Sequence, residues 1–382
     1  MSMSEPLTCQ RNRFELPSDV TYLNCAYMGP LSQAVVNAGR SGLERKMHPW
    51  TIGPDDFFDG VEHVRNLFGA IVNADADGVA VLPAASYGIS IAANNLTLDE
   101  GGKILVLEAE FPSNYYAWDE KAAREDGAVV TVRRPADGNW TKAVLDAIDD
   151  ETNVVAVAHC HWTDGTSCDL VAVGERVRDV GAALVVDATQ SIGAMPFDVQ
   201  AIRPDFVITA VYKWLLAPYG AALMWCAPEH RRGEPLEYSW ITREQADDFP
   251  TLVDYRAGYR EGARRYDVGQ TSNFAMIPAL EAALEQTLEW SVDAIASYTQ
   301  ALTDRIASSA DEVGLAVAPR EHRANHLIGV RLGGADPVAV QEAMAEAGVF
   351  VSVRGDAVRV APHVYNNADD VDRLFEVLRK AL

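Results

Sequence analysis

From about residue 60 to 230, short runs of apolar, β-branched residues alternate with stretches in which apolar residues return at helical spacing. The runs "KILVLEAE" from Lys103, "GAVVTVRR" from Gly127, "NVVAVAHC" from Asn153, "AALVVDAT" from Ala182 and "DFVITAV" from Asp205 predict strands. The intervening "SNYYAWDEKAARED" and "VAVGERVRDVG" predict helices. Strands that are apolar on both faces and separated by helices predict a mostly parallel sheet covered on both sides, an α/β domain. The window "VITAVYKWLLAPYGAALMWC", Val207 to Cys226, has the length of a membrane span. Lys213, Pro218 and Gly220 interrupt it, and it reads better as two buried strands around a turn.

After the polar stretch from Arg231 to Gly269 the rhythm changes. A long helical pattern runs from Met276 through about Ser308, followed by the strand "HLIGVRL", a helix from Pro337 to Ala347, the strands "VFVSVR" and "AVRVAP", and a last helix from Ala368. Few strands with helices to one side predict a smaller α+β domain. The expected division is a large domain over residues 20–260 and a small one over 261–382 that also takes residues 1–19.

At 382 residues the chain has room for two such domains. Its charge, 32 basic against 55 acidic residues for a net −23, repels phosphate backbones and anionic membrane surfaces. Neither nucleic acid nor a membrane is an expected partner. Cys9, Cys25, Cys160, Cys168 and Cys226 are odd in number and form no CxxC pair, which suits a reducing compartment. The opening "MSMSEPLTCQRNRFELP" lacks the apolar core of a secretory signal, and the expected location is the cytoplasm.

Lys213 raises the chemical question. An ammonium is costly to bury unless it is paired, deprotonated or used covalently. A lysine in apolar surroundings becomes an amine nucleophile able to form a Schiff base with an aldehyde. In open α/β sheets ligands gather at the carboxyl ends of strands, where this sequence places Ser86, Tyr87, Phe111, His159, His161, Asp187, Gln190, Tyr212 and Lys213. Asp187 suits a pyridinium nitrogen, the "ASYGIS" stretch with Ser86 suits a phosphate at a helix start, and Phe111 suits stacking on a ring. Pyridoxal 5'-phosphate (PLP) would use all of these groups. The alternative reading of Ser86 and Tyr87, less favoured, is that they cap a helix. The pair His159 and His161, with Asp187 as third ligand, raises the rival class of metal-dependent hydrolase, but no fourth ligand appears and no metal is expected.

From "YLNCAYMGPLS" to "VRVAPHVYNNADDVDRLFEVL" the sequence resembles the class V aminotransferase superfamily of fold-type I PLP enzymes, most specifically in "VVDATQSIGAMPFDV" and "PDFVITAVYKWLLAPYG". The resemblance implies a mostly parallel seven-stranded sheet in the large domain, with PLP held as a Schiff base on Lys213, which also shuttles the substrate's α-proton. It implies Asp187 at the pyridine nitrogen, Gln190 at the ring's phenolic oxygen, and Ser86 and Tyr212, with Tyr87 beside them, at the phosphate. It further implies a homodimer with sites at the interface, Thr271 of "GQTSN" serving the neighbouring site and Trp240 either reaching it or packing between subunits. Arg359, in preference to Arg354, would grip the carboxylate of a small amino-acid substrate, and Asn24 would line its entrance.

Transamination and β-elimination or C–S or C–C lyase chemistry are all compatible with this pattern, as are a kynureninase-like hydrolase, an isopenicillin-N-epimerase-like epimerase and a non-catalytic PLP-binding protein. The persulfide-forming cysteine of one desulfurase branch has no counterpart: between Arg354 and Arg359 stands only "GDAV".

Overall fold

The computed structural model describes residues 6–382. A short strand, β1 (Thr21–Tyr22), and two helices, α1 (Gln33–Glu44) and α2 (Asp59–Val72), precede the main sheet. That sheet consists of β2 (Val79–Leu82), β3 (Lys103–Leu107), β4 (Ala128–Val132), β5 (Thr152–Ala158), β6 (Ala183–Asp187), β7 (Phe206–Ala210) and β8 (Ala222–Cys226). Helices α3 (Ala85–Asn95), α4 (Ser113–Glu125), α5 (Trp140–Ala147), α6 (Leu170–Asp179) and α7 (Val199–Ile202) lie between its strands. The strand order is β2-β8-β7-β6-β5-β3-β4. The pairs from β4 through β7 are parallel, and β8 alone runs antiparallel to its two neighbours. This is the mostly parallel seven-stranded sheet that the resemblance implies.

The all-apolar strands are explained by what covers them. Successive side chains of a strand point to opposite faces. Leu105, Leu107, Leu184, Val186 and Val207 accordingly join one apolar cluster with α2, α5 and α6, whereas Ile104, Val106, Val185, Phe206 and Ile208 join another with α3 and α4. Both faces are buried, so no polar alternation survives in the sequence. Gly88 allows α3 to sit close on its face, since a Cβ there would meet Ile208 at 2.8 Å.

The long helix expected after Met276 is two: α8 (Met276–Trp290) and α9 (Val292–Glu312). The break is Ser291, at φ 61° and ψ 139°, whose hydroxyl accepts from Ala294 N and starts the second helix. Ile277, Leu280 and Leu284 of α8 belong to the large-sheet core, whereas Leu302 and Ile306 of α9 pack under the smaller sheet. Around the break Trp290 and Ile295 share a third cluster, and Val292 still packs on the large-sheet core. The smaller unit adds β9 (Ile328–Arg331), α10 (Pro337–Glu346), β10 (Val349–Phe350), β11 (Ser352–Arg354), β12 (Ala357–Val360) and α11 (Ala368–Ala381). Its antiparallel sheet has the order β11-β12-β9, and β1 pairs with β10, so the N-terminal segment joins the C-terminal unit.

Candidate active site

A cavity of about 250 Å³ opens at the carboxyl edge of the main sheet. Ser86, Phe111, Asp187, Gln190, Tyr212 and Lys213 all line it. They come from segments far apart in sequence, and the parallel topology brings them together, because every parallel strand delivers its following loop to the same edge. Two non-glycine residues beside the cavity, Ala109 after β3 and Leu216 after Lys213, have left-handed backbones with φ of 55° and 53°. Such conformations cost on the order of 1–3 kcal/mol and persist where surrounding packing imposes them.

Lys213 follows β7 and is 7% exposed. Burial pulls its ammonium down to about 8 from the usual 10.5, and Asp187 opposes that shift only in part. Its Nζ lies 5.6 Å from the ring centres of both Phe111 and Tyr212. The segment is held from above at Gly29, where a Cβ would meet the Lys213 carbonyl oxygen at 2.3 Å and whose N–H donates to Tyr212 O at 2.9 Å.

Asp187 ends β6, its Oδ1 accepting from Thr189 N at 3.0 Å. Gln190 accepts from Trp214 Nε1 at 2.8 Å and donates from Nε2 to Ala26 O at 3.1 Å. On the other side α3 begins after Ala84, with no side chain capping it. Ser86 and Tyr87 are therefore not caps, and no side chain caps the first-turn N–H groups beside Ser86 at the positive end of the helix. Tyr87 lies beside this group. One helical step turns it away from Ser86, it is 39% exposed, and it is not part of the cavity wall.

The other expected residues lie around this group. Arg359 is buried, and its Nη1 donates to Trp162 O at 2.7 Å. Its Nε and Nη2 have no partner, while burial and the neighbouring Arg354 both oppose its charge. A carboxylate would satisfy both donors. Asn24 is not in the cavity wall; its Oδ1 accepts from Ser352 Oγ at 2.8 Å and it bridges to Ala361, tying the N-terminal segment to the small sheet. Thr271 is buried outside the cavity wall. Trp240 packs on Phe57, Phe58 and Phe249.

His159 and His161 do not converge with Asp187. His161 approaches Arg134, Thr163 and the Glu108 carbonyl, and stacks on Trp140. His159 meets the edge of Phe197. Burial draws both imidazoles down to about 4, so they are neutral. Among the described residues the cluster able to hold a metal is instead Asp205, Glu229 and His230, outside this cavity.

Two wall residues escape sequence reasoning. Trp162 stands edge-on to Phe111 at 5.6 Å, its indole donates to Ala109 O at 2.7 Å, and Arg354 covers its ring at 5.4 Å. Glu110 is buried beside Asp187, and burial with that neighbouring charge pushes its carboxyl up to about 8. The signal for both was position, Trp162 past β5 in "AHCHWTDG" and Glu110 directly before Phe111.

The residues fit PLP: a desolvated amine, a carboxylate, an amide donor, an uncapped helix start and an aromatic face share one cavity. The chain is 26% identical over 342 residues to a probable cysteine desulfurase of Methanothermobacter thermautotrophicus, covering 84% of this chain and 83% of that protein. It is 24% identical over 390 residues to isopenicillin N epimerase of Streptomyces clavuligerus, covering 96% of each. In fold it is similar to a lysine-to-alanine mutant of C-DES with glycine covalently linked to the PLP cofactor, at TM-score 0.89 and 16% identity, covering 97% of this chain and 99% of that one. The aminotransferase class-V family model matches residues 40–374, and the chain belongs to that family.

Proposed function

We propose that the protein is a PLP-dependent enzyme that acts on a small amino acid and eliminates a sulfur substituent from its β-carbon. The observation that supports the PLP reading most is Lys213: a buried amine drawn down to about 8, sharing one cavity with Asp187, Gln190 and the free start of α3. PLP, when bound, supplies an aldehyde that condenses with amines and a ring that takes up the electron pair left at Cα. Lys213 supplies the amine and, once released, moves the α-proton. The Asp187 carboxylate would pair with the ring nitrogen, the α3 start with Ser86 and Tyr212 would hold the phosphate, and Phe111 would cover the ring. Arg359 orients the substrate through its carboxylate with the two donors that lack partners.

Elimination is favoured over transfer of sulfur to the enzyme. The turn between β11 and β12 holds Gly355 and Asp356 and no thiol. Cys25, Cys160, Cys168 and Cys226 are buried, with their thiols pushed up by burial. The net reaction is then a β-thio amino acid plus water giving pyruvate, ammonia and a free thiol.

We further infer a homodimer in the cytoplasm. Leu43, Met47, Trp50, Tyr219 and Tyr238 are largely exposed, an apolar surface of the kind that a second subunit covers. Thr271 and Trp240 would lie on that side. No described helix is long and apolar enough to cross a membrane.

The test is the visible spectrum of the purified protein with added PLP, followed by titration with alanine, cysteine, cystine and kynurenine. A yellow band absent from Lys213→Ala, with pyruvate released from a β-thio amino acid, is expected. Amino exchange without pyruvate would replace elimination by transamination, and a protein that stays colourless with PLP would sink the reading.

A further inference from the structure

Gln190 is held at both ends by groups that belong to different parts of the fold. Its side-chain carbonyl accepts from the Trp214 indole at 2.8 Å, and its amide nitrogen donates to Ala26 O at 3.1 Å. An indole N–H can only donate and a backbone carbonyl can only accept. These two neighbours therefore settle which end of the amide is which. Turning the amide over would set N–H against N–H and carbonyl against carbonyl, leaving buried polar groups without partners, at a cost of about 1–3 kcal/mol each.

The Gln190 backbone is fixed as well. His326, which precedes β9, donates from Nε2 to Gln190 O at 2.6 Å, and its ring meets the Trp214 ring edge-on at 4.1 Å. His363, after β12, stacks on the other side of Trp214, with 5.8 Å between ring centres. Its Nδ1 accepts from Val364 N at 2.8 Å, so the hydrogen sits on Nε2, which faces Trp214 O at 3.3 Å. Trp214 is 1% exposed and has no freedom to leave this frame. One hydrogen of the Gln190 amide nitrogen is engaged by Ala26, and Gln190 lines the cavity beside Asp187 and Lys213.

We propose that Trp214 is a positioning residue: its indole N–H locks the Gln190 amide in the orientation that presents the second N–H to the ring oxygen of bound PLP. This assignment rests on the PLP reading above. The flipped amide would aim a carbonyl at that oxygen and repel it. Trp214 thus links the small unit, through His326 and His363, to the cofactor end of the cavity.

The test is a double-mutant cycle with wild type, Trp214→Phe, Gln190→Ala and the double variant, all loaded with PLP. Two quantities are read: the equilibrium affinity for PLP and the pH midpoint of its visible absorption change. Trp214→Phe alone is expected to weaken affinity by about 3–10-fold, the loss of one hydrogen bond, and to shift the midpoint. In the Gln190→Ala background the same change is expected to do nothing further. Equal shifts in both backgrounds, or none in either, would overturn the assignment, because Trp214 would then act through packing alone or not at all. Should Trp214→Phe fail to fold, β-(3-benzothienyl)alanine at position 214 keeps the shape of indole without its N–H and gives the same comparison. Absence of PLP binding by the wild-type protein would overturn the functional reading and this assignment together, whereas an additive cycle with intact binding overturns the role of Trp214 alone.

Discussion

Two parts of the site are built on opposite plans: Lys213, Asp187 and Gln190 line the cavity, whereas Arg359 lies outside its wall, against the backbone of the wall residue Trp162. At the Lys213 end the side chains of Asp187 and Gln190 are held by protein partners: Asp187 accepts from Thr189 N, and Gln190 is fixed by Trp214 and Ala26. At the Arg359 end a guanidinium is buried with one contact, to Trp162 O, and two nitrogens without partners. A buried donor left unsatisfied costs about 1–3 kcal/mol, and that cost is recovered when an acceptor arrives. On the proposed reading the first end suits a group that stays, and the second an anion that comes and goes.

The sharpest way to break that comparison is at Arg359. Arg359→Ala is expected to lower kcat/KM for carboxylate-bearing substrates on the order of 10²–10³-fold, as expected for loss of a buried charged contact. PLP affinity should hardly change, because the change lies at the other end. A loss of PLP affinity as large as the loss of kcat/KM would erase the distinction.

The next effect is in pH. Burial holds the Lys213 amine at about 8, and only the neutral amine attacks an aldehyde. The sign follows: the rate at which cofactor-free protein takes up PLP should fall about tenfold for each pH unit below that value and level off above it. Stopped-flow absorbance between about pH 6 and 10 measures it. A rate still climbing steeply at pH 9 would mean that the cavity does not desolvate the lysine.

The legibility of these two ends in the sequence differs for a physical reason. Strands β3, β5, β6 and β7 show as apolar runs because the sheet is buried on both faces there, and Asp187, Gln190 and Lys213 are legible because each stands at or just past the end of a run. Strand β2 was not read, since Val79–Leu82 is too short for periodicity to mark it. The break at Ser291 was missed because helical spacing continues across it, and only backbone angles reveal the turn. The resemblance implies Asn24 at the substrate entrance and Tyr87 beside the phosphate, and neither side chain lines the cavity. Asn24 instead binds Ser352, and one helical step carries Tyr87 off the wall. Trp162 and Glu110 stayed hidden because their importance lies in contacts between loops, which no local pattern records.

Glu110 is the exception within the satisfied end, and it gives the smallest but most specific test of the comparison. Its Oε1 accepts from Phe111 N at 2.8 Å at the approach to α4, and its Oε2 is buried without a partner. Burial first, and the charge of Asp187 second, raise this carboxyl from 4.5 to about 8. The folded chain therefore keeps a proton that the unfolded chain releases. Stability from that proton is fully present below pH 4.5, declines as pH rises, and is lost by about pH 8. Glu110→Gln puts a neutral group of the same shape in place and abolishes the titration. Relative to wild type, the variant should gain stability steadily across that window, by on the order of a few kcal/mol, and the gain should level off above it. Urea unfolding at about pH 5, 7 and 9 reads the trend directly. A difference independent of pH would mean that Glu110 is an ordinary ionised carboxylate at the start of α4, and that the end of the cavity around Asp187 tolerates two negative charges where the structure provides for one.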